Sequence, residues 1–199
     1  MSSLKDNLAP LESDLKAVPP RISVYHDLPF AIMRYDPTDE WVLRRETKLL
    51  ATRLEAVGKV VHFVPMSQLL WSALEEVRRK DDDEGLDAVV ELEKDRGFVE
   101  AQQQVTTYLS NNVWIPLWDL LAERLASINP KNSVVFLTRV AAMSPGIFHV
   151  SMLLDKMQGK TKVATILFYP GSIEGTTGLR FMDLKDREAL GNYRVKIYG

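Results

Sequence analysis

Apolar residues along this chain follow two rhythms, and their alternation predicts the architecture. The runs Ser133-Val-Val-Phe-Leu-Thr138 and Val163-Ala-Thr-Ile-Leu-Phe-Tyr-Pro-Gly171 flank one amphipathic segment that reaches Gly159. β-Branched and aromatic runs on either side of a helix-length stretch predict a β-α-β crossover. Neither run alternates apolar with polar residues, which is the pattern of strands covered on both faces, hence of a parallel sheet. A second unit precedes it. Phe30-Ala-Ile-Met-Arg-Tyr35 predicts a strand, and Asp36-Pro37 a helix start, with Asp36 as N-cap and Pro37 in the first turn. The helix is expected to run to about Val57, burying Leu43, Thr47, Leu50, Leu54 and Val57. Gly58 then suits a left-handed C-terminal position, and Lys59-Val-Val-His-Phe-Val64 predicts the next strand.

Elsewhere the rhythm is helical. Leu4, Leu8, Leu11, Leu15 and Val18 predict a short N-terminal helix, weakened by Pro10 and ended by Pro19-Pro20. Ser67 is expected to cap a helix from Gln68 to Arg79, and Lys80-Asp-Asp-Asp-Glu-Gly85 predicts a loop. Leu86 to Ser110 is expected to be helical, split or bent at Gly97. Val113 to Ile128 is apolar around much of a helical circumference, so it is expected to be buried or to face a partner. Past Thr138, Ser144-Pro145-Gly146 is expected to turn or enter a helix through Met157. The next strand is expected to end at Tyr169-Pro170-Gly171, followed by a glycine-bearing loop from Ser172 to Gly178 and the run Leu179 to Leu184. Tyr193-Arg-Val-Lys-Ile-Tyr198 alternates with period two and predicts an edge strand with one wet face. The expected fold is therefore α/β: a mostly parallel sheet of about five strands with helices on both faces. It is expected to form a single domain over 1–199, with an α-helical insertion over 80–129.

Composition narrows the function. The chain has 199 residues, 46% hydrophobic and 26% charged, as in ordinary globular proteins. A net charge of -2 supplies no overall field for nucleic acid, so DNA is expected only indirectly. The absence of cysteine excludes disulfides, thiolate metal sites and cysteine nucleophiles. No apolar run reaches the ~18 residues that span a bilayer. The first residues, Met1-Ser-Ser-Leu-Lys-Asp-Asn, lack the apolar core of a signal peptide, so a cytoplasmic location is expected.

Ligands of parallel sheets bind past the carboxyl ends of the strands. Those ends bring forward Asp36, Arg139 and Tyr169. Neither G-x-x-x-x-G-K-[ST] nor G-x-G-x-x-G occurs. Asp36 reads as a metal or general-base carboxylate or as an N-cap, and Pro37 favours the cap. Arg139 suits an anion or a carboxylate partner equally. His26, His62 and His149 match no metal spacing, and no metal or cofactor is expected. Gly171, Gly175 and Gly178 suit a surface loop better than a phosphate cradle. Trp71, Trp114 and Trp118 read as core at helical spacing. Trp114, Trp118 and Leu121 are also candidates for a partner-binding face, since tryptophan is enriched at interface hot spots.

Taken together, several stretches resemble one family. They are Tyr35-Asp-Pro-Thr-Asp-Glu40, Thr138, Ser144-Pro145, Phe168-Tyr-Pro-Gly171, Leu179-Arg-Phe-Met-Asp-Leu184 and Asn192-Tyr193-Arg194. In order and spacing over residues 30–199, the chain resembles BrxB, a small component of bacterial BREX anti-phage systems. The resemblance implies work alongside a DNA methyltransferase, a large ATPase and a PglZ-type phosphatase-like protein, the last being the expected partner. It implies no assigned catalytic activity and carries over no catalytic residues. The alternation of strands and helices also resembles a P-loop ATPase core without its phosphate loop, a likeness of fold that does not fix function. Two functions follow as expectations. One is a non-catalytic adaptor that binds a larger BREX protein through an apolar helical face. The other is a nucleotide- or metal-binding enzyme with its site at the carboxyl edge of the sheet.

Overall fold

The computed structural model describes residues 4–24, 27–175, 178–184 and 193–199. His26, Thr176, Thr177 and Asn192 lie outside them. The protein is a mixed α/β fold with a six-stranded, mostly parallel sheet. Its strands are β1 (Phe30–Tyr35), β2 (Val60–Pro65), β3 (Ser133–Thr138), β4 (Ala164–Glu174), β5 (Gly178–Phe181) and β6 (Lys196–Tyr198). The order is β2-β3-β4-β1-β6, all parallel, and β5 pairs antiparallel with the far end of β4. The helices are α1 (Leu4–Lys16), α2 (Glu40–Glu55), α3 (Met66–Lys80), α4 (Leu86–Arg96), α5 (Phe98–Ser110), α6 (Leu117–Ala126) and α7 (Val150–Met157).

The two faces of the sheet bury separate cores. Along β1, Ala31, Met33 and Tyr35 point to the side of α1 and α2, where they meet Leu11, Leu15, Leu50 and Leu54. Phe30 and Ile32 point the other way, to α3, α6 and α7. Strands β1, β3 and β4 are thus apolar on both faces, which is why their sequences do not alternate. A third, smaller core joins α3 to α4 and α5 through Leu74, Val77, Val89, Ala101 and Tyr108. Gly85 makes that junction possible. Its φ is +91°, and a Cβ there would lie 3.1 Å from the Leu74 carbonyl oxygen.

Several boundaries differ from the sequence reading, each for a local reason. Helix α1 runs through Pro10, whose ring is exposed, and it ends at Lys16, leaving Val18 in solvent. Asp36 caps a short 3-10 turn, Pro37–Asp39, before α2 begins; α2 stops at Glu55, and Val57 is exposed. Helix α3 leaves β2 directly at Met66, so Ser67 sits inside it and caps nothing. The stretch predicted as one helix from Val113 to Ile128 is helical only from Leu117, with Pro116 as N-cap. Trp114 therefore lies in the preceding turn, and Trp114 and Trp118 do not stack on successive helical turns. Strand β4 does not end at Tyr169-Pro170-Gly171 but continues to Glu174 as a hairpin with β5. Gly171 permits the crossing, since a Cβ there would meet the Arg180 carbonyl oxygen at 2.0 Å. Strand β6 is an edge strand as expected, and its wet face, with Arg194 exposed, is only partly covered by α1, where Asp14 accepts hydrogen bonds from Lys196 Nζ and the Tyr198 hydroxyl.

Candidate functional site

The sheet places Asp36, Arg139 and Tyr169 at the same end of adjacent strands, but their side chains have different surroundings. Asp36 Oδ1 accepts from the Thr38 amide at 2.8 Å and from Thr38 Oγ1 at 2.6 Å. Those bonds, the side-chain one first, hold its carboxyl below the usual carboxylate range. Arg139 is exposed and left-handed, at φ 58°. Tyr169 is buried by the β4–β5 hairpin: Phe181 and Tyr193 pack edge-on against its ring, and its hydroxyl donates to the Leu179 carbonyl oxygen at 3.4 Å. Burial, followed by the neighbouring Tyr193, pushes its phenol far up. The expected open edge at Tyr169 is thus roofed by the continuation of its own strand.

Next to Asp36 lies a cleft of about 340 Å³ lined by Leu4, Asn7, Arg34, Tyr35, Asp39 and Gly199. Nε of Arg34 is buried there without a hydrogen-bond partner. Tyr35, on the opposite wall of β1, donates to Glu40 Oε2 at 2.5 Å, and Glu40 Oε1 accepts from Arg44 Nε at 2.8 Å. Burial and then the Glu40 carboxylate drive the Tyr35 phenol far up, so it acts as a hydrogen-bond donor and not as an acid. Among the described residues no three His, Asp or Glu side chains gather as a metal site. His62 is half-buried on β2, and His149 precedes α7 with its ring exposed.

The three candidate partner-binding residues divide between core and surface. Leu121 is fully buried and Trp118 is 5% exposed, its ring against Phe148 and under the Lys156 ammonium. Both hold α6 onto the sheet, beyond the reach of a partner in the folded chain. Trp114 is half-buried, edge-on to Tyr108, and borders a shallow hollow with Pro116 and Glu123. Tyr108 is itself fixed by hydrogen bonds with Glu84 and the Gly85 amide.

A different surface on the same helices is open and apolar. Between α3, α4 and α5 runs a groove of about 260 Å³ with Leu70, Leu74, Val89 and Val105 in its floor and Pro145 and Ile147 at one end. Trp71, 53% exposed, and Phe98, 57% exposed, stand on its lips. Phe98 was not singled out by sequence. The signal available for it was the residual apolar stripe of α4 and α5, which is too long for the small core that it covers.

Comparison with known proteins gives one consistent result. The family model described as "BREX protein BrxB" matches residues 55–197. A protein named BREX protein BrxB, from Bacillus cereus (strain H3081.97), is 23% identical over 165 residues, covering 81% of this chain and 80% of that protein. No solved structure matches.

Proposed function

From the premise that this chain belongs to the BrxB family and is a component of a BREX system, we propose that it is a non-catalytic adaptor in anti-phage defence. Its partner in this reading is a larger BREX protein, the PglZ-type subunit, and contact with DNA comes only through the complex. The observation that carries the reading is the open apolar groove on α3, α4 and α5. Large apolar side chains left on a lip in water are the mark of a surface that another molecule covers. The state of the strand ends supports it. Asp36 is bonded to its own turn and Tyr169 is enclosed, so neither presents a reactive group. In this reading the docking surface lies between α3 and the helical insertion, through Trp71 and Phe98, with Trp118 and Leu121 as buried support.

The test is recovery of a tagged chain from cells that express the complete native operon, with identification of each co-purifying protein. Stoichiometric PglZ-type subunit is the expected result. Recovery of the chain alone, under conditions where that subunit is soluble, contradicts it.

A second reading, a nucleotide- or metal-binding enzyme at the sheet edge, is favoured by the unpartnered Nε of Arg34 beside the Asp36 cleft. It requires nucleotides with or without Mg²⁺ to raise the melting temperature, with loss of that rise on Arg34→Met. No rise with any of them removes this reading.

A further inference from the structure

We propose that the groove between α3 and the insertion receives a basic amphipathic helix of a partner protein. The proposal rests on the adaptor reading and specifies the chemistry of what docks. Shape and lining set the apolar half of the match. A trough between packed helices suits a helix that presents apolar anchors at i, i+3, i+4 and i+7. Leu74, Val89 and Val105 offer the floor for such anchors, and Trp71 and Phe98 offer flanking contacts.

Charge sets the other half. The whole chain carries only -2, yet residues 81–100 hold nine carboxylates against two cations, Lys94 and Arg96. Those two cations are each engaged already, Lys94 with Glu91 and Arg96 with Asp95. Arg78, across the loop, reaches Asp87 at 3.5 Å. Glu93 faces the groove itself, while Glu75 lines a separate hollow with Arg124 on the far side of Trp71. Among the described residues Glu93 is in no ion pair. An apolar trough with Glu93 on its wall and a strongly acidic segment beside it attracts a helix whose polar face carries lysine or arginine. It repels an acidic helix, a nucleic acid and an anionic membrane.

The test uses two labelled model helices with the same leucine stripe, one with lysine and one with glutamate on the polar face. Each is titrated against the full chain by fluorescence anisotropy. The lysine helix is expected to bind saturably, more weakly as salt rises. Its affinity should fall at least about tenfold on Phe98→Asp, as for a hot-spot residue. A chain carrying Glu91→Lys and Glu93→Lys together should reverse the preference toward the glutamate helix. More than half of the Phe98 surface is in water, so Phe98→Asp is expected to melt as the parent does. Should it not, the charge-reversed chain, altered only at exposed positions, supplies the decisive arm. Equal binding of both helices, saturable binding by neither, or a charge-reversed chain with unchanged preference overturns the proposal. So does light scattering that shows a second copy filling the groove. A PglZ-type subunit that co-purifies equally with Phe98→Asp overturns the groove and leaves the adaptor role standing. A wild-type chain that recovers no such subunit overturns the adaptor role, while the titrations still decide the groove.

Discussion

Asp36 and Trp118 show what a single side chain does here. The Asp36 carboxylate accepts twice from Thr38, which satisfies an amide at the head of the 3-10 turn. Asp36→Ala is therefore expected to cost about 1 kcal/mol in urea unfolding, the usual worth of an N-cap, and to leave partner binding unchanged. Loss of binding without loss of stability would instead make Asp36 a contact residue. Trp118 packs between Phe148 and Lys156 with 5% of its surface exposed. Placing a carboxylate there removes a buried aromatic and strands a charge, so Trp118→Glu is expected to lower stability by at least about 3 kcal/mol. A Trp118→Glu chain that melts normally would mean that α6 is not seated as described.

At the scale of elements, α1 is held to the rest of the fold by carboxylates as well as by leucines. Asp14 accepts from Lys196 and Tyr198 on β6, and Glu12 accepts from Lys16 and from Arg53 on α2. The Lys196 bond, then that of Tyr198, holds the Asp14 carboxyl below its ordinary value. For Glu12 burial pulls upward, but the Lys16 and Arg53 bonds outweigh it and the net displacement is downward. Carboxyls with lowered folded pKa values stabilise fully above their unfolded values, about 4, and lose that stabilisation as pH falls through the folded ones. Thermal melting is expected to be flat from neutral pH to about 5 and to fall below about 4. Asp14→Asn should cost about 1 kcal/mol at pH 7 and shallow the acid limb. An unchanged acid limb in that variant would show that β6 does not depend on Asp14.

The elements also show how far sequence reaches. Strands β1, β3 and β4 were legible because burial on both faces leaves uninterrupted apolar runs, and α4 and α5 because Gly97 marks their break. Strand order was not legible. Nothing local in Phe30–Tyr35 says that β4 and β6 flank it, and the connection through α2 carries the chain past β4 and β3 before β2 forms. The burial of Tyr169 was hidden for the same reason, since Pro170-Gly171 reads as a stop while its real role is to let β4 cross into a hairpin. The partner-binding candidates Trp114, Trp118 and Leu121 came from a helical stripe that Pro116 interrupts. An apolar stripe cannot by itself say which side is covered by its own fold and which is left for another molecule.

Across the whole molecule, the sheet with its flanking helices and the helices α3 to α5 differ in what they leave exposed. The body buries its two cores, and the cleft beside Asp36 is polar, with Arg34, Asp36 and Asp39 in its lining. Helices α3, α4 and α5, in contrast, leave an apolar trough beside a segment rich in negative charge. No helix among the described residues is long and apolar enough to cross a membrane. That arrangement suits a component whose work is to hold another protein. The most direct measurement mixes the purified chain with purified PglZ-type subunit and follows complex formation by calorimetry and light scattering. The account predicts a saturable complex of fixed stoichiometry, weakened by Phe98→Asp and untouched by Asp36→Ala. Two proteins that remain separate at every concentration tested, each folded by circular dichroism, would contradict it.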